Sequence, residues 1–474
     1  MRPIVHAVAQ FAAQVLLLSL CAPISRGQTE KPVYLPSPGQ IVNVVCAADA
    51  NQSYALYLPS AYTVTKPWPV IYFFDPGGRG RRPLDLYQDL AETYGFILAG
   101  SNNSRNFSGD EAQAVNAIWQ DTHLRLALDE RRVYTSGFSG GARVAGAMAL
   151  SSPGRISGVI AHGAGYPNHY GTAGQLLYYF AVGDKDFNWP EVITVGHERE
   201  RESLPYRVNV YSGSHQWAPA SVMEDAVQWF QLKAMQAGDL PRDHAFIDRQ
   251  FQSLQKKADD AEARHDALAQ LAAYQSLASD FTGLRDLTAV STKLATLKQS
   301  SAVKAALKHE REQISEQLRI EREISPKLRA YESGDVPDPN ALRVEILQAM
   351  NGLKDQAAHA KHEEERLVLQ RAFQDMMVEG MENGQQEFQA KHFDKAEMCF
   401  DLMRQISDEP WPVLLLAETR AAMGNKKQAL KDLGEAVHRG LKDAEVLESD
   451  KQLQVLNTEP DFQKLLAELK GKSQ

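Results

Sequence analysis

Ser139 is the residue of this chain best placed to do chemistry. It stands in Gly137-Phe138-Ser139-Gly140-Gly141, after Arg131-Arg132-Val133-Tyr134-Thr135-Ser136 and before Ala142-Arg143-Val144-Ala145-Gly146-Ala147-Met148-Ala149. The order reads as strand, sharp turn, helix. Such a turn is a nucleophile elbow: it lifts the hydroxyl clear of the backbone, and glycines flank it because a larger side chain would collide with the strand or the helix. The free N–H groups of the helix start, with their partial positive charge, then face any anion that forms beside the serine. The chemistry this suits is nucleophilic attack on an acyl carbon.

A serine becomes a nucleophile only with a base beside it and a third group to orient that base. Two later segments offer both, in the chain order nucleophile, acid, histidine. Leu176-Leu177-Tyr178-Tyr179-Phe180-Ala181-Val182 reads as a strand that stops at Gly183-Asp184-Lys185-Asp186. Tyr206-Arg207-Val208-Asn209-Val210-Tyr211 alternates and breaks at Ser212-Gly213-Ser214-His215-Gln216-Trp217. Each candidate sits in the loop after the C-terminal end of a strand, where open α/β sheets carry their chemistry. His215 is the general-base candidate. His162 follows a strand that ends at Ala161 but precedes the acid, and reads as a polar residue at the rim of the sheet. Adjacent loop position leaves Asp184 and Asp186 both open as the acid.

From Ile41 to Gln236, apolar strands alternate with helical patterns, as a mostly parallel sheet covered on both faces requires. With the elbow, acid and histidine in this order, residues from about 40 to 235 resemble the α/β-hydrolase fold, and within it the branch of feruloyl and polyhydroxyalkanoate esterases. In that branch the histidine commonly sits in Gly-x-His-x-Trp, matched by Gly213, His215 and Trp217. The acid commonly follows a strand in Gly-x-x-Asp, which selects Asp186. Tyr57-Leu58-Pro59 and Trp68-Pro69-Val70-Ile71-Tyr72-Phe73-Phe74 resemble early strands of such enzymes, the latter running into Asp75-Pro76-Gly77-Gly78-Arg79-Gly80. This loop departs from the family, where it often begins His-Gly. Proline has no N–H to donate, so the oxyanion role falls to the Gly77 or Gly78 amide, paired with that of Gly140. The resemblance implies a Ser-His-Asp esterase that needs no cofactor. The same acyl-transfer groups also fit a serine peptidase, and a degenerate hydrolase carried by a binding or scaffold protein is the alternative from another class.

The chain is 474 residues long, comfortable for two or three domains. Its formal net charge of −9 argues against a nucleic-acid surface, which needs clustered Lys and Arg. No uncharged run of about 18 residues lies in the body of the chain, so no membrane span is expected in the mature protein. Arg2 and His6 precede an apolar run from Phe11 to Leu20, and Ser25-Arg26-Gly27 follows, so residues 1–27 resemble a secretory signal and the expected location is secreted or periplasmic. Cys21 faintly resembles a lipoprotein site, the lesser reading because Leu20 is bulky. Cys46 and Cys399 fall in different expected domains and read as buried small hydrophobes. No Cys/His cluster at ligand spacing suggests a metal.

The catalytic segment is expected over 28–238. Only Gly163 to Gln175 separates Val159-Ile160-Ala161 from the next strand, too short for a lid, which implies an open cleft suited to a small or polymeric ester. Trp189 and Trp217 read as packing more readily than as platforms for a substrate, and Arg79, Arg81 and Arg82 as a solvated basic turn. After Leu240-Pro241 the pattern turns helical through about 375, with charged runs such as Lys361-His362-Glu363-Glu364-Glu365-Arg366. From 376 to 474 the sequence resembles tetratricopeptide repeats: Gly384, Phe388, Phe393, Ala396 and Phe400 recur about 33 residues later as Ala417, Ala421, Lys426, Ala429 and Leu433. Phe462, Leu465 and Leu466 look like a closing cap, Met376, Met377 and Met398 read as core, and the repeats are expected to offer a surface to a protein partner.

Overall fold

The computed structural model describes residues 36–167, 176–334, 336–442 and 444–472. The expected signal over 1–27, with Cys21, and most of the connector before Gln175 lie outside the described residues. The chain forms two compact units, one through Arg311 and one from Glu312 onward.

The first unit is built on eight strands: β1 (Ile41–Val45), β2 (Ser53–Tyr57), β3 (Trp68–Phe74), β4 (Ile97–Ser101), β5 (Leu128–Phe138), β6 (Gly158–His162), β7 (Leu177–Gly183) and β8 (Tyr206–Tyr211). They lie in the order β1-β2-β4-β3-β5-β6-β7-β8. Only the β1–β2 and β2–β4 pairs are antiparallel; every other pair is parallel. This is a mostly parallel sheet of the α/β-hydrolase type. Helices α1 (Arg81–Tyr94), α2 (Glu111–Arg125), α3 (Gly140–Ser151), α4 (Trp189–Arg201) and α5 (Ala220–Ala237) alternate with the strands. Parallel strands need such crossovers, and helices on both faces explain why every residue of β3 is buried and its sequence is apolar without alternation. Tyr134 of β5 stacks on Phe230 of α5 with centroids 4.4 Å apart.

Register decides where the chemistry lands. Phe74 pairs with Gly137, Phe138 with His162, His162 with Ala181, and Gly183 with Tyr211. The C-terminal ends of β3, β5, β6, β7 and β8 are therefore level, and their loops open along one edge.

Three further helices, α6 (His244–Ala263), α7 (Ala267–Asp280) and α8 (Thr288–Gln299), belong to the same unit. Asp243 and Asp266 cap α6 and α7 by accepting the Phe246 and Ala269 amides. Their apolar residues Phe246, Ile247, Leu254 and Leu277 share a core with Leu232 and Met235 of α5. The compact unit thus runs well past 238, where the change of composition had drawn its end. A buried ion network adds to the apolar seam. Asp280 of α7 receives Arg207 Nη2 at 2.6 Å, Lys233 Nζ at 3.0 Å and Trp229 Nε1 at 2.9 Å.

The unit boundary falls within α9 (Ser301–Ser333). Beyond it come α10 (Pro339–His359), α11 (Glu363–Gln389), α12 (Phe393–Ile406), α13 (Pro410–Ala422), α14 (Lys426–His438), α15 (Ala444–Ser449), a 3-10 turn at Leu453–Leu456 and α16 (Pro460–Lys472). The echoed positions fall on two successive helix pairs, α11–α12 and α13–α14. A Cβ at Gly384 would stand 2.6 Å from the Phe400 ring, and Ala417 and Ala421 share a cluster with Ala429 and Leu433. Lys426 fills no gap; it opens α14 and pairs with Glu459 at 3.0 Å. Phe462 and Leu466 of α16 join the same cluster. Cys46 and Cys399 are free thiols, both buried, as are Met376 and Met377. Among the described residues no helix is long and apolar enough to cross a membrane.

Candidate active site

Ser139 links β5 to α3 at φ 54°, ψ −122°, a backbone conformation that costs a non-glycine residue on the order of 1–3 kcal/mol. The reversal is so tight that a Cβ at Gly137 would overlap the Gly141 carbonyl, and one at Gly141 the Phe74 carbonyl. The neighbouring strand helps to hold it, since the Ser139 amide donates to the His162 carbonyl at 2.8 Å. Gly140 begins α3, where the first N–H groups have no partner within the helix.

Beyond β7 the two candidate acids part company. Asp184 Oδ1 accepts the Gly213 amide at 3.0 Å, its own amide donates to the Tyr211 carbonyl at 2.8 Å, and the Lys185 amide donates to the Gly213 carbonyl at 2.9 Å. Asp184 therefore staples the loop after β7 to the loop that carries the histidine. The Asp186 carboxylate is wholly buried and faces His215 Nδ1 at 2.9 and 3.0 Å from its two oxygens. The Asn188 amide, donating to Asp186 Oδ1 at 2.9 Å, fixes the carboxylate from behind. The imidazole lies between the rings of Phe138 and Phe187, at centroid distances of 4.5 and 4.3 Å. With Nδ1–H donating to Asp186, the Nε2 lone pair is left to act as a base.

Gly163 joins the two halves. It follows His162, whose carbonyl holds the Ser139 amide, and it adopts φ +60°. A Cβ there would stand 2.7 Å from Asp186 Oδ2 and 3.1 Å from His215 Nδ1. The Gly163 carbonyl accepts Asn188 Nδ2 at 2.7 Å. Neither Gly163 nor Asn188 was singled out from the sequence; the only signal was a glycine directly after a strand that runs beside the elbow.

Asp75, where the resembling family often has histidine, is a buried hub. Its carboxylate accepts the Gly77 amide at 2.8 Å, Arg79 Nε at 2.8 Å and Trp217 Nε1 at 2.9 Å, and its carbonyl accepts the Gly78 amide at 2.9 Å. Both glycine amides nominated as oxyanion donors are therefore already engaged by Asp75. The sequence could not show this, because it depends on the loop curling back on its own aspartate. Trp217 is buried and serves as a strut, and Trp189 is also buried. Arg79 is bonded to Asp75, and Arg81 pairs with Asp85 at 3.2 Å. His162 is fully buried, stacked on Tyr87 and 3.2 Å from Ser136 Oγ. Burial drops its imidazole to about 3, so it stays neutral at physiological pH. Among the described residues no cluster of His, Cys, Asp or Glu could hold a metal ion.

No family model matches the sequence, and no curated protein matches it. Solved structures do resemble it. FphF, a fluorophosphonate-binding serine hydrolase of Staphylococcus aureus, is 12% identical over 41% of this chain and 98% of its own, with a TM-score of 0.34. A ferulic acid esterase is 14% identical over 40% of this chain and 95% of its own, with a TM-score of 0.32. An S-formylglutathione hydrolase of Agrobacterium tumefaciens is 12% identical over 40% of this chain and 93% of its own, also with a TM-score of 0.32. These neighbours are serine hydrolases and esterases.

Proposed function

We propose that the chain is a serine hydrolase of carboxylic esters, with Ser139 as nucleophile, His215 as general base and acid, and Asp186 as the group that orients the imidazole. The observation that carries the reading is a positive-φ Ser139 at a strand-to-helix turn together with a buried Asp186 carboxylate bonded to His215 on the loops after β7 and β8 of the same sheet edge. A structural serine has no need of a strained backbone, and a surface histidine has no need of a buried carboxylate on Nδ1.

In the first half-reaction Ser139 Oγ adds to the ester carbonyl carbon while its proton passes to His215 Nε2. The carbonyl π pair moves onto oxygen, beside the Gly140 amide at the positive end of α3. Collapse of the adduct breaks the bond to the alcohol, which leaves with the proton held by His215, and an acyl-serine remains. Water then attacks, gives its proton to His215, and releases acid and serine by the same steps in reverse order. Asp186 orients the imidazole and stabilises the imidazolium formed twice in each cycle.

Hydrolysis of short-chain p-nitrophenyl esters by the purified protein and by Ser139→Ala tests the proposal. The wild-type chain should turn them over and the variant should retain no more than a trace. Equal rates would overturn it.

A further inference from the structure

The oxyanion that this reading requires has one backbone donor in view, Gly140, because the Gly77 and Gly78 amides are held by Asp75. A side chain that could supply the second donor stands on the loop between β4 and α2. The Asn106 carboxamide covers the Cα of Gly140 so closely that a Cβ there would overlap both its oxygen and its nitrogen. Residue 140 is thus a glycine with a neighbour's amide standing where its own side chain would be. The loop is pinned from both sides. The Asn106 amide donates to the Pro76 carbonyl at 2.9 Å, and the adjacent Phe107 takes φ 61°. A Cβ at Gly78 would lie 2.9 Å from the Asn102 carbonyl, so this loop and the Asp75 loop are packed together. Asn106 Oδ1 is buried and has no hydrogen-bond partner among the described residues. Oδ1 only accepts, so an oxyanion can bond to this carboxamide through Nδ2–H alone.

We propose that Asn106, through Nδ2–H, is the second oxyanion donor of this site and acts with the Gly140 amide. The inference rests on the serine-hydrolase reading above. A side-chain donor compensates for a β3 loop whose aspartate has drawn its own amides inward. Nδ2 packs against Gly140, the residue whose amide is the other donor, and a carboxamide carries no charge that would compete for the His215 proton.

The test measures kcat and KM for a short p-nitrophenyl ester, and the inhibition constant of a trifluoromethyl ketone, for wild type, Asn106→Ala and Asn106→Asp. Removal of one oxyanion donor costs on the order of 10²–10³ in kcat with little change in KM. We expect that loss for Asn106→Ala, a parallel loss of ketone affinity, and a larger loss for Asn106→Asp, whose carboxylate repels the oxyanion. A merely structural role predicts the opposite ranking, since aspartate keeps the shape of asparagine. Should Asn106→Ala fail to fold, the near-isosteric Asn106→Asp decides alone. An Asn106→Asp enzyme within about threefold of wild-type kcat, or a loss confined to KM, overturns the assignment. Absence of turnover in the wild type, or turnover indifferent to Ser139→Ala, overturns the hydrolase reading instead.

Discussion

Replacing Asp280 by alanine should destabilise the first unit far more than breaking an ion pair on its surface. The Asp280 side chain is 1% exposed, and those of Arg207 and Lys233 are 8% and 9% exposed. Burial pushes the Asp280 carboxyl up, but Arg207 and Lys233 outweigh it and hold the group below the usual carboxylate range. Asp280→Ala takes the acceptor from Arg207 Nη2, Lys233 Nζ and Trp229 Nε1 at once. Arg207 keeps Asp225 at 3.0 Å, and Lys233 keeps Gln236 Oε1 at 3.1 Å, so compensation is partial. Breaking a buried pair from one side costs about 3–5 kcal/mol. By contrast Lys256 and Asp260, 2.8 Å apart but 74% and 47% exposed, should lose only about 0.5 kcal/mol on Lys256→Ala. Urea denaturation followed by tryptophan fluorescence reads the right unit, because all the tryptophans except Trp411 lie before Arg311. A midpoint for Asp280→Ala as little shifted as that of Lys256→Ala would refute the argument. The same network predicts that a chain ended at 238 will not fold as the hydrolase, whereas one ended near Arg311 will.

Gly163→Ala should lower kcat by roughly 10²-fold, since its Cβ would displace both Asp186 and His215 and a 1 Å misplacement costs about that much; steady-state kinetics checks it. Asp186→Asn should reduce the rate by about 10⁴-fold, whereas Asp184→Asn should be mild because an amide oxygen can still accept the Gly213 N–H; the reverse ranking in the same assay would hand the acid role to Asp184. Burial pushes the Glu332 carboxyl up to about 9, against the hydrogen bond from Asn383 Nδ2 and with the help of the Glu379 charge. Between the ordinary carboxyl range and about 9 the folded unit keeps this proton while the unfolded chain releases it, so stability falls as pH rises. Glu332→Gln should flatten that fall, read from thermal melts of the second unit between pH 5 and 9; an unchanged slope would show that Glu332 is ionised in the folded state.

Much of the fold was legible because it follows from local rules. Continuous apolar runs read as buried parallel strands, and the glycines about Ser139 marked the sharp turn, which Gly137 needs because its Cβ would meet the nearby Gly141 carbonyl. The Gly-x-x-Asp and Gly-x-His-x-Trp patterns pointed to Asp186 and His215, and their side chains are hydrogen-bonded at 2.9 Å. What escaped was set by contacts distant in sequence. The Asp75 hub holds the Gly77 and Gly78 amides by local turns, but its bond from Trp217 comes from far along the chain, and no pattern within six residues encodes that. Gly163 and Gly140 have no room for a Cβ because Asp186 and Asn106, each far along the chain, stand in its place. The 238 limit followed composition, whereas the compact unit runs through Arg311, and Asp280, which ties α7 to β8 and α5, is one buried carboxylate on a helix whose sequence looks like any other amphipathic segment.

The most direct measurement is mass spectrometry of the purified protein after reaction with a fluorophosphonate. The account predicts one phosphonyl adduct, on the peptide that contains Ser139, formed far more slowly in His215→Ala and absent in Ser139→Ala. No adduct on folded protein, or an adduct elsewhere with Ser139 unmodified, would contradict it.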